Sequence, residues 1–193
     1  FAATAGLRFT SPDVEGADAR LDQAVPPHYL NLLANSGFEA GLTGWSANAG
    51  AGVKTGSPAA FEGSQYFSAG NVEEGQVQQT VDLLAAGFTA AQLDAGDLDM
   101  VFGGRTRSAA ESPVDRGALT LQFFDATSAP IALGSGGSTV SATALNTSDR
   151  WELIGGRTLV PAGARFAVLR FTADRDSGTS NDAWLDKAFL YAV

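Results

Sequence analysis

The chain has 193 residues, a formal net charge of −9 and no cysteine. A single domain of this length can bury a substantial core, since 45% of the residues are hydrophobic and 12 are Phe. The lack of cysteine excludes disulfides, thiolate metal sites and a cysteine nucleophile. The acidic charge repels phosphate backbones, so we expect no nucleic-acid partner. No apolar stretch approaches the roughly 20 residues of a membrane helix, so we expect no membrane insertion.

The first 28 residues differ from the rest. They contain a weak repeat, "LRFTSPDVEG" and "ARLDQAVPPH", and Pro12, Pro26 and Pro27 keep the stretch extended. We interpret residues 1–28 either as a flexible leader or as an arm that docks on another subunit, because their apolar residues are too widely spaced for a separate core. Such an arm would join other surface subunits or build a homo-oligomer. Since the chain begins at Phe1 without Met, we expect that residues precede it or that a leader was removed.

Short strands and tight turns are predicted over residues 29–193. The first strand is expected in "YLNLL", followed by turns that end on Trp45. Further strands are expected in "SQYFSAG" and in "GQVQQTVDL", where one face carries Val77, Gln79 and Val81. A single helical turn is predicted in "TAAQLDAG", begun by Thr89 and ended by Gly96.

The second half of the chain continues the same pattern. Period-two alternation predicts strands in "DLDMVFGG" and "ALTLQFFDA", and later strands are expected in "RWELIGGRTLVP", "ARFAVLRFTAD" and "AWLDKAFLYAV". The stretch "ARFAVLRF" is apolar on both faces, which indicates a strand central to its sheet. About eight to ten strands with frequent turns favour an all-β sandwich of two antiparallel sheets.

Four stretches together resemble galactose-binding-like carbohydrate-binding modules, such as those attached to xylanases. They are "NLLANSGFEAGLTGW", "FEGSQYFSAG…VQQTVDL", "RWELIGGRTLVPAGARFAVLRF" and "NDAWLDKAFLYAV", and they span residues 29–193 almost entirely. The resemblance implies a galactose-binding-like jelly-roll sandwich with an extended N-terminal arm. It also implies a non-catalytic binding module, although a fold does not fix a ligand.

The same resemblance implies a structural calcium ion. In the family, where calcium is present, it is held by a carboxylate from the first strand and by the first Asp of the closing strand, and these positions match Glu39 and Asp186. The closing strand departs from the family pattern because Lys187 stands where a second Asp is usual. Calcium accepts six to eight oxygen ligands, which carboxylates and turn carbonyls can supply. The alternatives are a solvated carboxylate pair, or Asp186 capping a turn.

Signals for catalysis are weak. The sole histidine, His28, lies in residues 1–28, so a Ser-His-Asp triad within the domain is excluded, and no histidine cluster can hold zinc. No Gly-rich phosphate loop follows a strand. Two of the 21 acidic residues could converge for glycoside cleavage, but their spacing singles out no pair. We therefore expect no enzymatic activity.

Candidate glycan contacts lie near two predicted loops. Trp184 borders the polar loop at 177–181, which includes Asn181 and is followed by Asp182. Arg105 and Arg107 belong to "GGRTRSAAESPVDRG", interpreted as a long loop that could meet a charged glycan, or as a solvated hairpin tip. The acidic run "DRDSGTSND" is interpreted as a polar hairpin loop because it lacks the spacing of a helix-loop calcium site. The remaining tryptophans, Trp45 and Trp151, match core positions of the family.

Similar sandwiches also look like parts of phage tail, fibre or head-spike proteins. We therefore expect a virion fibre, spike or decoration protein that contacts host cell-surface polysaccharide, with its arm joined to other virion subunits. Its expected location is extracellular or on the virion surface. Two alternatives stay open. One is a carbohydrate-binding module of a secreted bacterial protein, and the other is a structural decoration domain without a ligand.

Overall fold

The computed structural model describes residues 30–134, 137–145, 148 and 150–193, so the predicted arm of residues 1–28 and Tyr29 lie outside the described residues. The described residues form ten strands and one short helix, α1. The elements are β1 (Ser46–Ala47), β2 (Gly52–Lys54), β3 (Tyr66–Gly70), β4 (Glu74–Asp82), α1 (Ala90–Asp94), β5 (Asp99–Ser108), β6 (Arg116–Phe124), β7 (Thr139–Thr143), β8 (Glu152–Leu159), β9 (Phe166–Asp174) and β10 (Asn181–Ala192).

The strands form two five-stranded antiparallel sheets. Sheet I has the order β2-β3-β10-β5-β8, and sheet II has the order β1-β4-β9-β6-β7. The predicted all-β, two-sheet architecture is thereby confirmed. Strand β9 lies at the centre of sheet II between β4 and β6, as its two apolar faces indicated.

The core lies between the two sheets, where alternate residues of each strand point inward. In β4 the inward set is Val77, Gln79 and Val81, as the sequence pattern predicted. The rings of Phe67 in sheet I and Phe171 in sheet II meet edge to face, with centroids 5.9 Å apart. Edge-to-face contact is a favoured aromatic geometry, so this pair joins the two sheets at the centre of the core.

Helix α1 begins and ends where the sequence predicted. Thr89 caps its N-terminus through a reciprocal pair of hydrogen bonds with Gln92. Gly96 adopts a φ of 75° just beyond the end, a conformation that glycine adopts readily. None of the described helices has the length and hydropathy needed to cross a bilayer.

The expected strand in "YLNLL" is wrong, because residues 30–33 form no strand. One backbone hydrogen bond, from the Leu32 amide to the Leu190 carbonyl (2.9 Å), and several side chains hold this segment in place of a full backbone ladder. The Asn31 side chain donates to the Ala188 carbonyl (3.0 Å) and accepts from the Leu190 amide (3.0 Å). The Gln79 side chain likewise binds both backbone groups of Ala34, at 2.7 and 3.0 Å. An asparagine within an apolar run thus replaced the ladder that the pattern indicated.

Two glycines face each other where β5 and β8 pair. Gly103 lies opposite Gly155, and a Cβ atom on Gly155 would lie 2.4 Å from the Phe102 carbonyl oxygen. A backbone oxygen within a paired strand cannot move aside easily, so the strands approach closely because both residues lack a side chain.

We expect Gly155→Ala to lower the free energy of unfolding by about 1–3 kcal/mol, because the added methyl group must push the strands apart. Gly52→Ala in β2 is the matched control, since a Cβ atom there meets nothing within 4 Å; its effect should stay within about 0.5 kcal/mol. Urea denaturation of both variants measures the difference. Equal stability of the two variants would contradict the close approach.

Candidate functional site

The segment of residues 55–65, here called the covering loop, packs on the outer face of sheet I. Asp186 of β10 accepts hydrogen bonds from the amides of Phe61 (2.7 Å) and Glu62 (3.1 Å). The Trp151 indole donates to the Ala59 carbonyl at 2.9 Å, which holds the loop from its other side. Much of this face is therefore closed to solvent by the chain itself.

Glu39 holds the end of the same loop. Its carboxylate accepts hydrogen bonds from the amides of Ser64 (2.9 Å) and Gln65 (2.8 Å) and from the Ser64 hydroxyl (2.9 Å). These bonds, led by the one from Gln65, lower the pKa of Glu39 below its ordinary value. Burial raises the pKa of Asp186 against its backbone hydrogen bonds, and the charge of Glu39 raises it further. The two predicted metal ligands therefore lie close enough to interact, and both stabilise the covering loop.

A cation between Glu39 and Asp186 needs carboxylate lone pairs that no hydrogen bond already uses. Glu39 Oε1 and Asp186 Oδ2 each accept two hydrogen bonds. The other oxygen of each group accepts only one, from the Ser64 hydroxyl and from the Lys187 amide. One lone pair on each carboxylate thus remains for an ion, and calcium would need further oxygens from backbone carbonyls. The pair thus keeps oxygen donors that a shared cation would need.

Trp184 lies in an aromatic cluster on the outer face of sheet I. It is 3% exposed, the Lys54 ammonium lies 4.3 Å from its ring centroid, and the Tyr66 ring lies 5.7 Å away. Trp151 completes the cluster, with its ring 5.3 Å from that of Tyr66. Trp45 is buried in the core as expected. Trp151 is only partly buried, so its expected core position is wrong; it packs on the outside of a sheet under the covering loop.

The two arginines predicted to lie in a loop are in strand β5. Arg105 and Arg107 alternate with Thr106 and Ser108, which are buried, so the period-two pattern continues to the strand's end. The two glycines before this stretch allow close packing on both sides of β5, since a Cβ atom on Gly103 would lie 2.4 Å from the Ile154 carbonyl oxygen of β8 and one on Gly104 would lie 2.7 Å from the Leu185 side chain of β10. The Arg105 guanidinium lies 4.3 Å from the ring centroid of Phe61 in the covering loop.

Asn181 and Asp182 begin β10 beside the β9–β10 connection, which is the polar hairpin loop that the sequence predicted. Asn181 is fully buried, and its side chain donates to the Ala173 carbonyl at 2.7 Å. We assign Asn181 a structural role on that basis. The Asp182 amide donates to the buried carboxylate of Asp115 at 2.7 Å. Its own carboxylate accepts from the Ser180 hydroxyl at 3.2 Å.

One open groove remains on sheet I beside the covering loop, and we call it the Phe61 groove. Its volume is about 340 Å³. The rings of Phe189 and Tyr191 stack in it, with centroids 5.3 Å apart. Arg105 is the only one of the five predicted ligand contacts among the groove's lining residues.

The outer face of sheet II carries two adjoining depressions, and we call it the glutamine face. One depression, of about 360 Å³, is lined by Ser46, Ala47, Asn48, Gln76, Gln78 and Arg170. The other, of about 240 Å³, is lined by Thr80, Phe124, Ser128, Phe166 and Val168. Gln78 pairs with Arg170 across β4 and β9, and Thr80 pairs with Val168 next to them, so the two depressions adjoin each other along these strands.

Sequence reasoning did not single out the glutamine face. Its residues are the polar half of a period-two pattern, which is also what any solvated sheet surface shows. The types of side chain distinguish these residues from those of an ordinary solvated sheet surface. Gln76, Gln78 and Arg170 carry flat side chains with several donors, and Arg170 Nε donates to Gln78 Oε1 at 2.8 Å.

No family model matches the chain, and no curated protein matches it. Several solved structures are similar in fold. They include tailspike protein 4 of bacteriophage CBA120, in the structure of its enzymatically active domain, with a TM-score of 0.61 and 13% identity over 86% of this chain. Only 22% of that tailspike chain is matched, so this chain spans about a fifth of its length.

Separate binding modules are matched along nearly their whole length. The module TmCBM61, solved with β-1,4-galactotriose, has a TM-score of 0.52 and 16% identity over 84% of this chain and 98% of its own. The C-terminal family 22 carbohydrate-binding module of Clostridium thermocellum Xyn10B has a TM-score of 0.51 and 14% identity over 86% and 95%. The described residues therefore have the galactose-binding-like β-sandwich fold of these modules.

The lowered pKa of Glu39 makes its contribution to stability depend on pH. A carboxyl whose pKa is depressed in the folded state stabilises the fold above its ordinary pKa of 4.5, and the contribution is lost as the pH falls through the folded value. The Glu39→Gln variant should therefore have a lower melting temperature than the unmodified protein at neutral pH. The difference between the two melting temperatures should become smaller as the pH falls. Melting curves across this pH range measure it, and a gap independent of pH would contradict the role of the ionised carboxylate.

Proposed function

We propose that this domain is a non-catalytic glycan-binding module and that its ligand lies along the glutamine face. The observation that supports this proposal is the pair of adjoining depressions over β4 and β9, with amide and guanidinium groups in one and phenylalanine rings in the other. Sugars present hydroxyl groups and apolar ring faces together, so they are bound by planar polar side chains combined with aromatic or apolar surfaces.

The spacing of the strands suits an extended ligand. Gln76, Gln78 and Thr80 follow each other on one face at about 6.7 Å intervals, since alternate strand residues point the same way. Arg170 adds five N–H donors in a fixed plane, and one of them is already positioned by Gln78. A polysaccharide chain along β4 would meet polar groups repeatedly over a length of about 13 Å.

The Phe61 groove is a second candidate surface for the same function. It offers the stacked rings of Phe189 and Tyr191 beside the charged groups of Arg105 and Lys187. Its extent is limited by the covering loop and the segment from Asn31 to Gly37, whose residues line it. We favour the glutamine face because it runs along two strands without such a boundary.

We further propose that the glycan is a host cell-surface polysaccharide and that the domain works extracellularly or on a virion surface. The similarity to the tailspike of bacteriophage CBA120 supports this setting. The similarity to separate carbohydrate-binding modules supports the alternative, a module of a secreted protein. A glycan array on the isolated domain, with capsular polysaccharides beside plant polysaccharides, discriminates between the two.

The proposed surface is tested with the glycan that the array identifies. Arg170→Ala should weaken binding by about 1.5–3 kcal/mol, roughly tenfold to a hundredfold, because a charged hydrogen-bond donor is lost. Gln78→Ala should weaken it in the same direction. Isothermal titration calorimetry measures both affinities.

Arg105→Ala is the matched control, since it removes the same side chain from the opposite sheet. We expect its glycan affinity to equal that of the unmodified protein. A loss with Arg105→Ala and none with Arg170→Ala would move the site to the Phe61 groove, and an array without any bound glycan would contradict the function.

We also propose that Glu39 and Asp186 share a structural calcium ion. An ion that binds only the folded state stabilises it by mass action, so calcium should raise the melting temperature above its value in chelator. Glu39→Gln and Asp186→Asn should reduce this calcium-dependent shift equally. The shift, rather than the melting temperature itself, is the readout, because both side chains also hold the covering loop. A shift as large as that of the unmodified protein in either variant would contradict the shared ion.

A further inference from the structure

Three carboxylates meet at one end of sheet I, away from the Glu39–Asp186 pair. The carboxylate oxygens of Glu111, Asp115 and Asp182 lie within 4.8 Å of one another. Glu111 and Asp115 belong to the connection between β5 and β6, and Asp182 lies at the start of β10. Among the described residues, no lysine or arginine forms an ion pair with any of the three.

Buried polar atoms around this cluster lack partners. Glu111 Oε1 is shielded from solvent, and no donor among the described residues lies within hydrogen-bonding distance of it. The hydroxyl group of Tyr66 is equally unpartnered, and this residue is 0% exposed. A buried polar atom without a partner costs free energy unless a ligand or an ordered water meets it.

Tyr66 interacts electrostatically with one of the three carboxylates. Burial raises the pKa of Tyr66 to about 12, and its charged neighbours are Arg107, which opposes the rise, and Asp182, which adds to it. The hydroxyl therefore lies within the electrostatic field of Asp182.

The backbone around the cluster is already fixed. Asp115 Oδ1 accepts from the amides of Asp176 (2.7 Å) and Ser177 (3.2 Å), and its Oδ2 accepts from the Asp182 amide. These bonds hold the β9–β10 connection against Glu111, whose Oε2 would lie 3.2 Å from a Cβ atom on Gly178. Each carboxylate keeps at least one free lone pair in this arrangement.

We propose that Glu111, Asp115 and Asp182 bind a divalent cation of the calcium class. Three like charges held within 4.8 Å repel one another. A dication bound between them attracts all three carboxylates and offsets this repulsion. Calcium accepts six to eight oxygens in flexible geometry, which suits side chains from two loops, whereas magnesium demands a near-ideal octahedron. The cation would join the β5–β6 connection to the β9–β10 connection.

Calcium chloride titrated into the full chain by calorimetry tests the site. Glu111→Gln is the informative variant, since Glu111 Oε1 has no hydrogen bond to lose. Glu74→Gln is the matched control, because it removes one negative charge from an exposed residue of β4. We introduce both into a Glu39→Gln background, so that binding at the Glu39–Asp186 pair does not contribute.

We expect one calcium ion to bind in the Glu39→Gln background and in its Glu74→Gln derivative, and none in the Glu111→Gln derivative. Melting temperatures measured with and without calcium test the same proposal independently. In chelator Glu111→Gln should be as stable as its parent or more stable, because one of three like charges is gone; in calcium the parent should be the more stable. Calcium binding by the Glu111→Gln derivative, absence of binding in its parent, or equal affinity for magnesium chloride would each overturn the proposal.

Discussion

The packing of two sheets against each other buries only their inner faces, and the rest of this structure depends on how the two outer faces are used. The inner faces meet across Phe67 and Phe171 and form the core. Residues 55–65 cover part of the outer face of sheet I and are held by Glu39, Asp186 and Trp151. Sheet II leaves its outer face open along β4 and β9. The covered face is thus committed to stability, and the open face is available for a ligand.

Three carboxylates around sheet I fix the irregular segments next to it. Glu39 and Asp186 each accept two backbone N–H groups from the covering loop, and Asp115 accepts two from the β9–β10 connection. A carboxylate that accepts several amide hydrogens fixes an irregular segment without a strand partner. The same groups concentrate negative charge at two points. We propose a cation at each, and both would then stabilise connections rather than take part in binding glycans.

Much of the fold could be predicted from the sequence, because strand pairing and burial leave a period-two pattern. That pattern located the inward faces of β4, β5 and β6 and the central position of β9. It failed where side chains replace backbone pairing, as at Asn31, and where a strand continues into residues interpreted as a loop, as at Arg105 and Arg107. The candidate surface was harder to find, since Gln78 and Arg170 become neighbours only through pairing between distant strands. Local sequence carries no sign of such a contact.

The central claim is that a glycan lies on the open face of sheet II. The most direct test is a nuclear magnetic resonance titration of the ¹⁵N-labelled domain with the glycan that the array identifies. The chemical shift of each backbone amide reports on the surroundings of its own residue. We expect the largest shifts at Gln76, Gln78 and Arg170, with the amides of Arg105 and Tyr191 unchanged. Shifts confined to Arg105, Phe189 and Tyr191 would contradict this account and assign the ligand to sheet I.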